Sequence, residues 1–300
     1  MNKIIVITGP TAVGKTKLSV EIAKKYNGEI INADAVQVYK HLDIGSAKVK
    51  EEEKENIPHH LFDIKEVDDE YTVYHYQKDC RQVIEEIKRR GKTPILVGGT
   101  GLYIKAALYD YQFSEEDSNN NYDNLSTEDL YKELLKLDPN VIIDKNNRRR
   151  LIRALNYYKK NNKSINENKT NKMLYDVIFI GLTTDRENLY RRINSRVDKM
   201  LEDNLLEEVK KLHSNNFRTK PLLNAIGYKE LYKYLDGECT FEEATKKIKQ
   251  NSRHYAKRQY TFFNHQLPIT WFEVDFNNFN KTIEEVGEYI NSKMWYYFYL

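Results

Sequence analysis

Gly9-Pro10-Thr11-Ala12-Val13-Gly14-Lys15-Thr16 fits the pattern G-x-x-x-x-G-K-[ST]. In such a loop the backbone N–H groups, with those of a following helix N-terminus, surround an anionic diphosphate. Lys15 supplies a point charge for the terminal phosphate, and Thr16 is placed to hold Mg2+. Enzymes with this loop commonly bring a second carboxylate to the metal from the end of a neighbouring strand. Here the apolar run 94–97 ends in Gly98-Gly99-Thr100-Gly101, with no acid. The best acid is Asp34, at the C-terminal end of the apolar run 29–33, where open α/β sheets bind ligands. It could serve as a metal ligand, a general base or simply a turn or helix-capping residue. Thr100 offers a hydroxyl near a helix N-terminus, among glycines that let the backbone approach a ligand closely.

These residues need a strand before each loop and a helix after it. Apolar runs at 4–7, 29–33, 94–97, 177–182 and 269–272 lack alternation, as expected of parallel strands covered on both faces. Helical patterns lie between them at 15–26, 74–90, 188–212, 241–265 and 281–295. Strand followed by helix, repeated, predicts an α/β fold: a parallel sheet flanked by helices, of the P-loop NTPase-like kind. The spacing breaks between 97 and 177, a gap far longer than a crossover needs. Within it, 114–124 reads as a polar loop, 127–137 and 148–158 as helices and 159–172 as a polar connector. The expected organisation is a core of 1–112 with 173–300 and a helical insertion at 113–172.

The chain of 300 residues has Lys+Arg 48 against Asp+Glu 45, a net +3, so it is no polycation as a whole. Its charge is segregated instead. Segment 145–163 holds eight cations and no acid, 246–258 holds six and no acid, and 51–70 holds nine acids against two lysines. Cations beside His254, Tyr255, Tyr260, Phe262 and Phe263 suit a phosphate backbone and splayed-out bases. An ordinary solvated helix face is the plain alternative for either cluster. No apolar run approaches the ~18 residues of a membrane span, and the start of the chain is too short in apolar residues for a signal peptide. Cys80 and Cys239, far apart, make no disulfide framework or zinc site. A cytoplasmic location is expected.

Together the motifs resemble the bacterial tRNA dimethylallyltransferase (tRNA isopentenyltransferase) family over nearly the whole chain. The likeness rests on residues 9–16, Asn32-Ala-Asp-Ala-Val-Gln-Val-Tyr39, Leu42-Asp-Ile-Gly-Ser-Ala-Lys48, Pro58-His-His-Leu-Phe-Asp63, Val97-Gly-Gly-Thr-Gly-Leu-Tyr103, 149–155, 192–200, Ala225-Ile-Gly-Tyr-Lys-Glu230 and Tyr255-Ala-Lys-Arg-Gln259. It implies transfer of a dimethylallyl group from dimethylallyl diphosphate to N6 of the adenosine 3′ of the anticodon. Pyrophosphate leaves with Mg2+ assistance, and the loop 9–16 holds the donor rather than ATP. By position, Asp34 resembles the family's general base, Thr100 the adenine contact and Gln37 a contact to the flipped base or its neighbours. The resemblance further implies tRNA contacts at Ala35, Val36, Arg149, Arg150, Leu151, Ile152, Arg153, Arg253, Lys257 and Arg258, within segments 149–153 and 253–259. Arg192 would help neutralise the diphosphate; the roles of His59, His60 and Arg196 stay open.

The implied partners are the tRNA anticodon stem-loop and the prenyl donor, with the enzyme a monomer. Ala35 and Val36 stand where the family often has Ser and Arg, Asn147 and Asn156 where Asp and Glu are usual, Ser252 where Thr and Phe262 where Trp are frequent. Those departures touch local tRNA contacts, not Lys15, Thr16, Asp34 or Thr100. Two rival functions are a small-molecule kinase, which would consume ATP, and an enzyme that prenylates free adenine nucleotides, which needs the basic clusters less.

Overall fold

Ile4–Thr8 (β1) is buried at every position, as a strand covered on both faces must be. It occupies the middle of a six-stranded sheet in the computed structural model of the chain, which describes residues 3–111, 113, 122–166 and 171–294. The expected loop residues 114–121, the connector residues 167–170 and the final helical residue 295 lie outside the described residues. The other strands are Gly28–Asn32 (β2), His59–His60 (β3), Thr93–Val97 (β4), Val177–Thr183 (β5) and Thr270–Glu273 (β6). Their order is β3-β2-β4-β1-β5-β6, with every neighbouring pair parallel. Ile5 of β1 lies opposite Ile95 on one side and Ile178 on the other.

The helices are α1 (Lys15–Lys25), α2 (Glu51–Lys54), α3 (Val73–Arg89), α4 (Gly101–Leu108), α5 (Thr127–Leu137), α6 (Arg148–Asn161), α7 (Arg186–Glu202), α8 (Leu205–Ser214), α9 (Lys220–Asn224), α10 (Tyr228–Leu235), α11 (Phe241–Gln266) and α12 (Phe279–Met294). The sheet's core sets Ile5, Ile7, Ile178 and Ile180 against Leu18 and Ile22 of α1 and Val286 and Ile290 of α12.

Two expectations need correction. The helix expected over 188–212 is two helices, α7 and α8, because Asn204 takes a left-handed φ of 70° between them. A helix cannot propagate through that conformation, and Asn tolerates it better than most residues. The sheet also has a sixth strand at its edge: His59 and His60 pair with Ile30 and Ile31, and two histidines give no apolar signal to read.

The chain divides into two compact units, Met1–Leu108 with Tyr175–Leu300, and Tyr109–Leu174. The second is a helical pair. Leu130 and Leu134 of α5 pack on Leu151, Ala154 and Leu155 of α6, closed by Tyr122 and Val141. Ser126 caps α5 by accepting the Asp129 N–H, and Asn147 caps α6 by accepting the Arg150 N–H. Arg148 donates to the carbonyls of Tyr122 and Leu125, fastening the chain before α5 to the start of α6.

Candidate active site

The loop between β1 and α1 depends on two glycines. Gly9 has φ +135°, and a Cβ there would stand 2.4 Å from the Leu182 carbonyl oxygen. Gly14, the N-cap of α1, has φ +93°, and its Cβ would meet the Phe279 ring at 2.7 Å. Lys15 Nζ folds back over the loop and donates to Pro10 O at 2.6 Å and Gly9 O at 3.1 Å. Loss of solvation, followed by repulsion from Arg196, pulls its pKa down to about 7 despite the opposing charge of Asp34. Val13 is buried, whereas Thr16 is exposed at the first turn of α1. Arg192 Nε donates to Ala12 O at 2.9 Å, and its guanidinium lies 3.8 Å from the centre of the Phe276 ring. Arg192 therefore braces the loop backbone from α7.

The carboxyl ends of β2 and β4 supply the other wall. Asn32, fully buried, accepts the Asp34 N–H at 2.9 Å and donates to Asp34 O at 3.1 Å and Leu61 O at 3.0 Å. Asp34 Oδ1 in turn accepts the Val36 N–H at 2.9 Å, an Asx turn that fixes the carboxyl's orientation. Thr100 Oγ1 accepts the Ala35 N–H at 3.0 Å, and the Thr100 N–H bonds Ala33 O at 3.0 Å. The two segments run so close that a Cβ on Gly98 would lie 2.1 Å from Ala33 O, hence the glycine. Thr8 Oγ1 donates to Gly98 O at 2.9 Å, joining the end of β1 to that turn.

Charged and phenolic groups converge on Asp34. Burial lowers the Arg196 pKa, opposed by the negative charges of Asp34 and Glu53. Burial pushes the Tyr255 phenol well up, the Asp34 charge adds to it, and hydrogen bonds with Thr100 and Gln259 oppose it. Asp34 thus lies in the field of Lys15, Arg196 and Tyr255 together.

Of the residues read from sequence, the structure brings Lys15, Asp34 and Thr100 to one rim, at the ends of β1, β2 and β4. Gln37 points elsewhere: its amide donates to Ser46 O at 3.0 Å and Ala47 O at 3.2 Å, holding the 42–48 loop. His60 pairs with Glu29 at 2.7 Å, as does Arg90 at 2.7 Å. Burial raises the Glu29 carboxyl, but those two partners outweigh it and hold its pKa below the usual value. His60 therefore fastens a sheet edge. Arg149 and Arg150 are exposed on α6, Ile152 and Arg153 are half-buried, and Leu151 is fully buried. Leu151 is a core residue, so its side chain makes no tRNA contact. Arg253 is held by Asn194 Oδ1 at 2.7 Å, while Lys257 and Arg258 are exposed on α11.

Sequence reasoning gave no role to Asn32, left Arg196 open and read Tyr255 and Gln259 only as part of the 253–259 segment expected to contact tRNA. All four sit inside quoted motif runs, but only the fold shows what they touch. Among the described residues no group of three or more His, Cys, Asp or Glu could hold a metal. A metal here would take its oxygens chiefly from a bound diphosphate, with Thr16 beside it, which suits Mg2+ and its retained waters.

A family model described as IPP transferase matches residues 37–266. A protein of Anoxybacillus flavithermus named tRNA dimethylallyltransferase is 49% identical over 301 residues, 97% of each chain. One of the same name from Geobacillus kaustophilus is 47% identical over 306 residues, again 97% of each. The solved tRNA isopentenylpyrophosphate transferase of Bacillus halodurans shares 43% identity, covering 98% of this chain and 97% of that one, with a TM-score of 0.77. A eukaryotic dimethylallyltransferase solved acting on tRNA shares 30% identity at a TM-score of 0.84, covering 98% of this chain and 79% of that one.

Proposed function

The chain belongs to the IPP transferase family, and from that premise we propose how its pocket carries out the transfer. The enzyme is a prenyltransferase that moves a dimethylallyl group to N6 of the adenosine 3′ of the anticodon in tRNA, releasing pyrophosphate. Dimethylallyl diphosphate lies with its diphosphate in the loop of Gly9, Pro10, Thr11, Ala12, Val13, Gly14, Lys15 and Thr16. Mg2+, when bound, neutralises the leaving oxygens, and Thr16 Oγ1 is the side chain that would hold it. Lys15 releases its loop carbonyls and turns its ammonium to the terminal phosphate, with Arg196 adding positive field.

Asp34 takes the proton. As the bond from N6 to the allylic carbon forms and the carbon–oxygen bond to the diphosphate breaks, the carboxylate removes the amine hydrogen. The observation that carries this assignment is the Asp34 carboxylate within electrostatic reach of the Lys15 ammonium, a base beside the leaving group's cradle. Thr100 and its glycine turn face the adenine. The base must leave its stack to reach them, at a cost of roughly a few kcal/mol, offset by cationic contacts to the backbone. We assign those contacts to Lys257 and Arg258 on α11 and to Arg149 and Arg150 on α6. No helix among the described residues is long and apolar enough to cross a membrane. We place the enzyme in the cytoplasm with its tRNA, as a monomer.

The test uses purified protein, Mg2+, labelled dimethylallyl diphosphate and unmodified tRNA, with AMP and ATP in parallel. Label should enter tRNA alone, and Asp34→Ala should cut turnover by ~10²–10⁴. Near-normal turnover of that variant would remove Asp34 as the base. Label in AMP alone would make the enzyme a nucleotide prenyltransferase, and conversion of ATP to ADP would make it a kinase.

A further inference from the structure

Helix α11 turns Gln259 inward, where it is 5% exposed. Both ends of its amide are engaged across the pocket. Oε1 accepts the Thr11 N–H at 3.1 Å, and Nε2 donates to Gly99 O at 3.0 Å. Thr11 belongs to the diphosphate loop; Gly99 directly precedes Thr100 on the acceptor wall. The fit is close enough that a Cβ on Gly99 would stand 2.1 Å from Nε2. One helical turn back, Tyr255 stands beside Thr100 and Gln259. Such burial rules out a contact with the tRNA backbone for this residue, although the flanking Lys257 and Arg258 are exposed.

We propose that Gln259 is a positioning residue which sets the separation between the diphosphate cradle and the Asp34–Thr100 acceptor wall. The inference rests on the donor and acceptor assignments above. Each wall keeps its own internal bonds without Gln259. The loop keeps its strand, its helix and the Arg192 brace, and the acceptor wall keeps the Thr100–Ala35 and Thr100–Ala33 bonds. The strand ends stay joined by Thr8 to Gly98. Losing Gln259 leaves two intact subsites whose outer parts, Thr11 and Gly99, are no longer tied to one another. Group transfer is sensitive to that: a misplacement of about 1 Å can lower a rate ~10²-fold while binding survives.

The test compares wild type with Gln259→Met, which fills the same space without either bond, and with Gln259→Asn. The shorter amide of the second keeps polarity but cannot span both partners, and it is read if the first fails to fold. Single-turnover transfer to tRNA should fall ~30–100-fold, with the dissociation constants for dimethylallyl diphosphate and for tRNA, measured separately, within ~3-fold of wild type. A transfer rate within ~3-fold of wild type overturns the proposal, as does donor affinity falling in step with the rate, which would make Gln259 part of the donor cradle alone. Wild type that transfers no label would instead sink the reading of the reaction itself.

Discussion

An ammonium pulled down to about pKa 7 within a phosphate-type loop is a group that gains from an arriving anion. Lys15 owes that shift first to lost solvation and then to Arg196, and a diphosphate entering the loop would oppose both. The sign follows directly. Below about pH 7 the lysine already carries its proton and binding takes up none; above it, binding must bring a proton to the now-favoured ammonium. Titration of dimethylallyl diphosphate in buffers of different ionisation enthalpy should therefore show uptake approaching one proton at about pH 8, falling away toward about pH 6. Lys15→Met should bind the donor more weakly and lose the uptake. An equal proton count in wild type and variant would mean that the lysine is charged before the donor binds. Its partner across the pocket, Asp34, is held differently: Asn32 and the Val36 N–H fix where the carboxyl points. In the proposed reaction one side would contribute a charge that reorients and the other a carboxylate whose direction is already fixed.

Elements hold these residues through contacts that no local pattern announces. The 42–48 loop, which Gln37 grips by two carbonyls, is anchored from below by Glu208 of α8. That carboxylate accepts the N–H groups of Asp43 at 3.0 Å, Ile44 at 2.8 Å and Gly45 at 3.2 Å, and the hydroxyl of buried Tyr228 at 2.6 Å. Gly45 is needed because a Cβ would lie 2.5 Å from the Tyr228 ring. Tyr228→Phe should cost about 1 kcal/mol in urea unfolding, one hydrogen bond with the packing kept, whereas Glu208→Ala should cost roughly 2–3 kcal/mol by stranding several donors at once. Equal losses in the two variants would mean that Glu208 is not the anchor. Strands β1, β2, β4 and β5 were legible because covered strands run apolar with little alternation, and edge strand β6 through its apolar run at 269–272. The edge pair His59–His60 was not, since its partner Glu29 lies far away in sequence. Asn204 hid the break between α7 and α8, because a hydrophobic period of 3.6 runs across it unchanged. Several of the 23 tyrosines likewise become intelligible only in the fold: Tyr26, Tyr76 and Tyr232 are buried with their hydroxyls on backbone carbonyls.

For the molecule as a whole, charge is what the sequence overstated. Counting cations along the chain treats each as available to a polyanion, yet several are already engaged. In the helical unit Arg148 holds two carbonyls, and Lys159 sits 3.5 Å from Glu133 and over the Tyr122 ring at 5.1 Å. In the larger unit Lys249 pairs with Asp198 at 2.5 Å and Arg253 with Asn194. The glycine loop at 9–16 and the strand-end positions of Asp34 and Thr100 were legible because they follow from local spacing; the division of cations between structure and surface was not, because it depends on distant partners. The distinction is measurable. Replacing exposed Arg149 and Arg150 together by Ala should weaken tRNA binding and flatten its dependence on salt by ~0.7–0.9 for each phosphate no longer neutralised, up to twice that for the pair. Arg148→Ala, by contrast, should lower the unfolding midpoint of the helical unit, because it unfastens Tyr122 and Leu125 from α6, and leave the salt slope where it was. Three neighbouring arginines then separate into two that meet the polyanion and one that holds the unit presenting them. An unchanged slope in the double variant would make that face ordinary solvated surface and leave α11 to supply the backbone contacts alone.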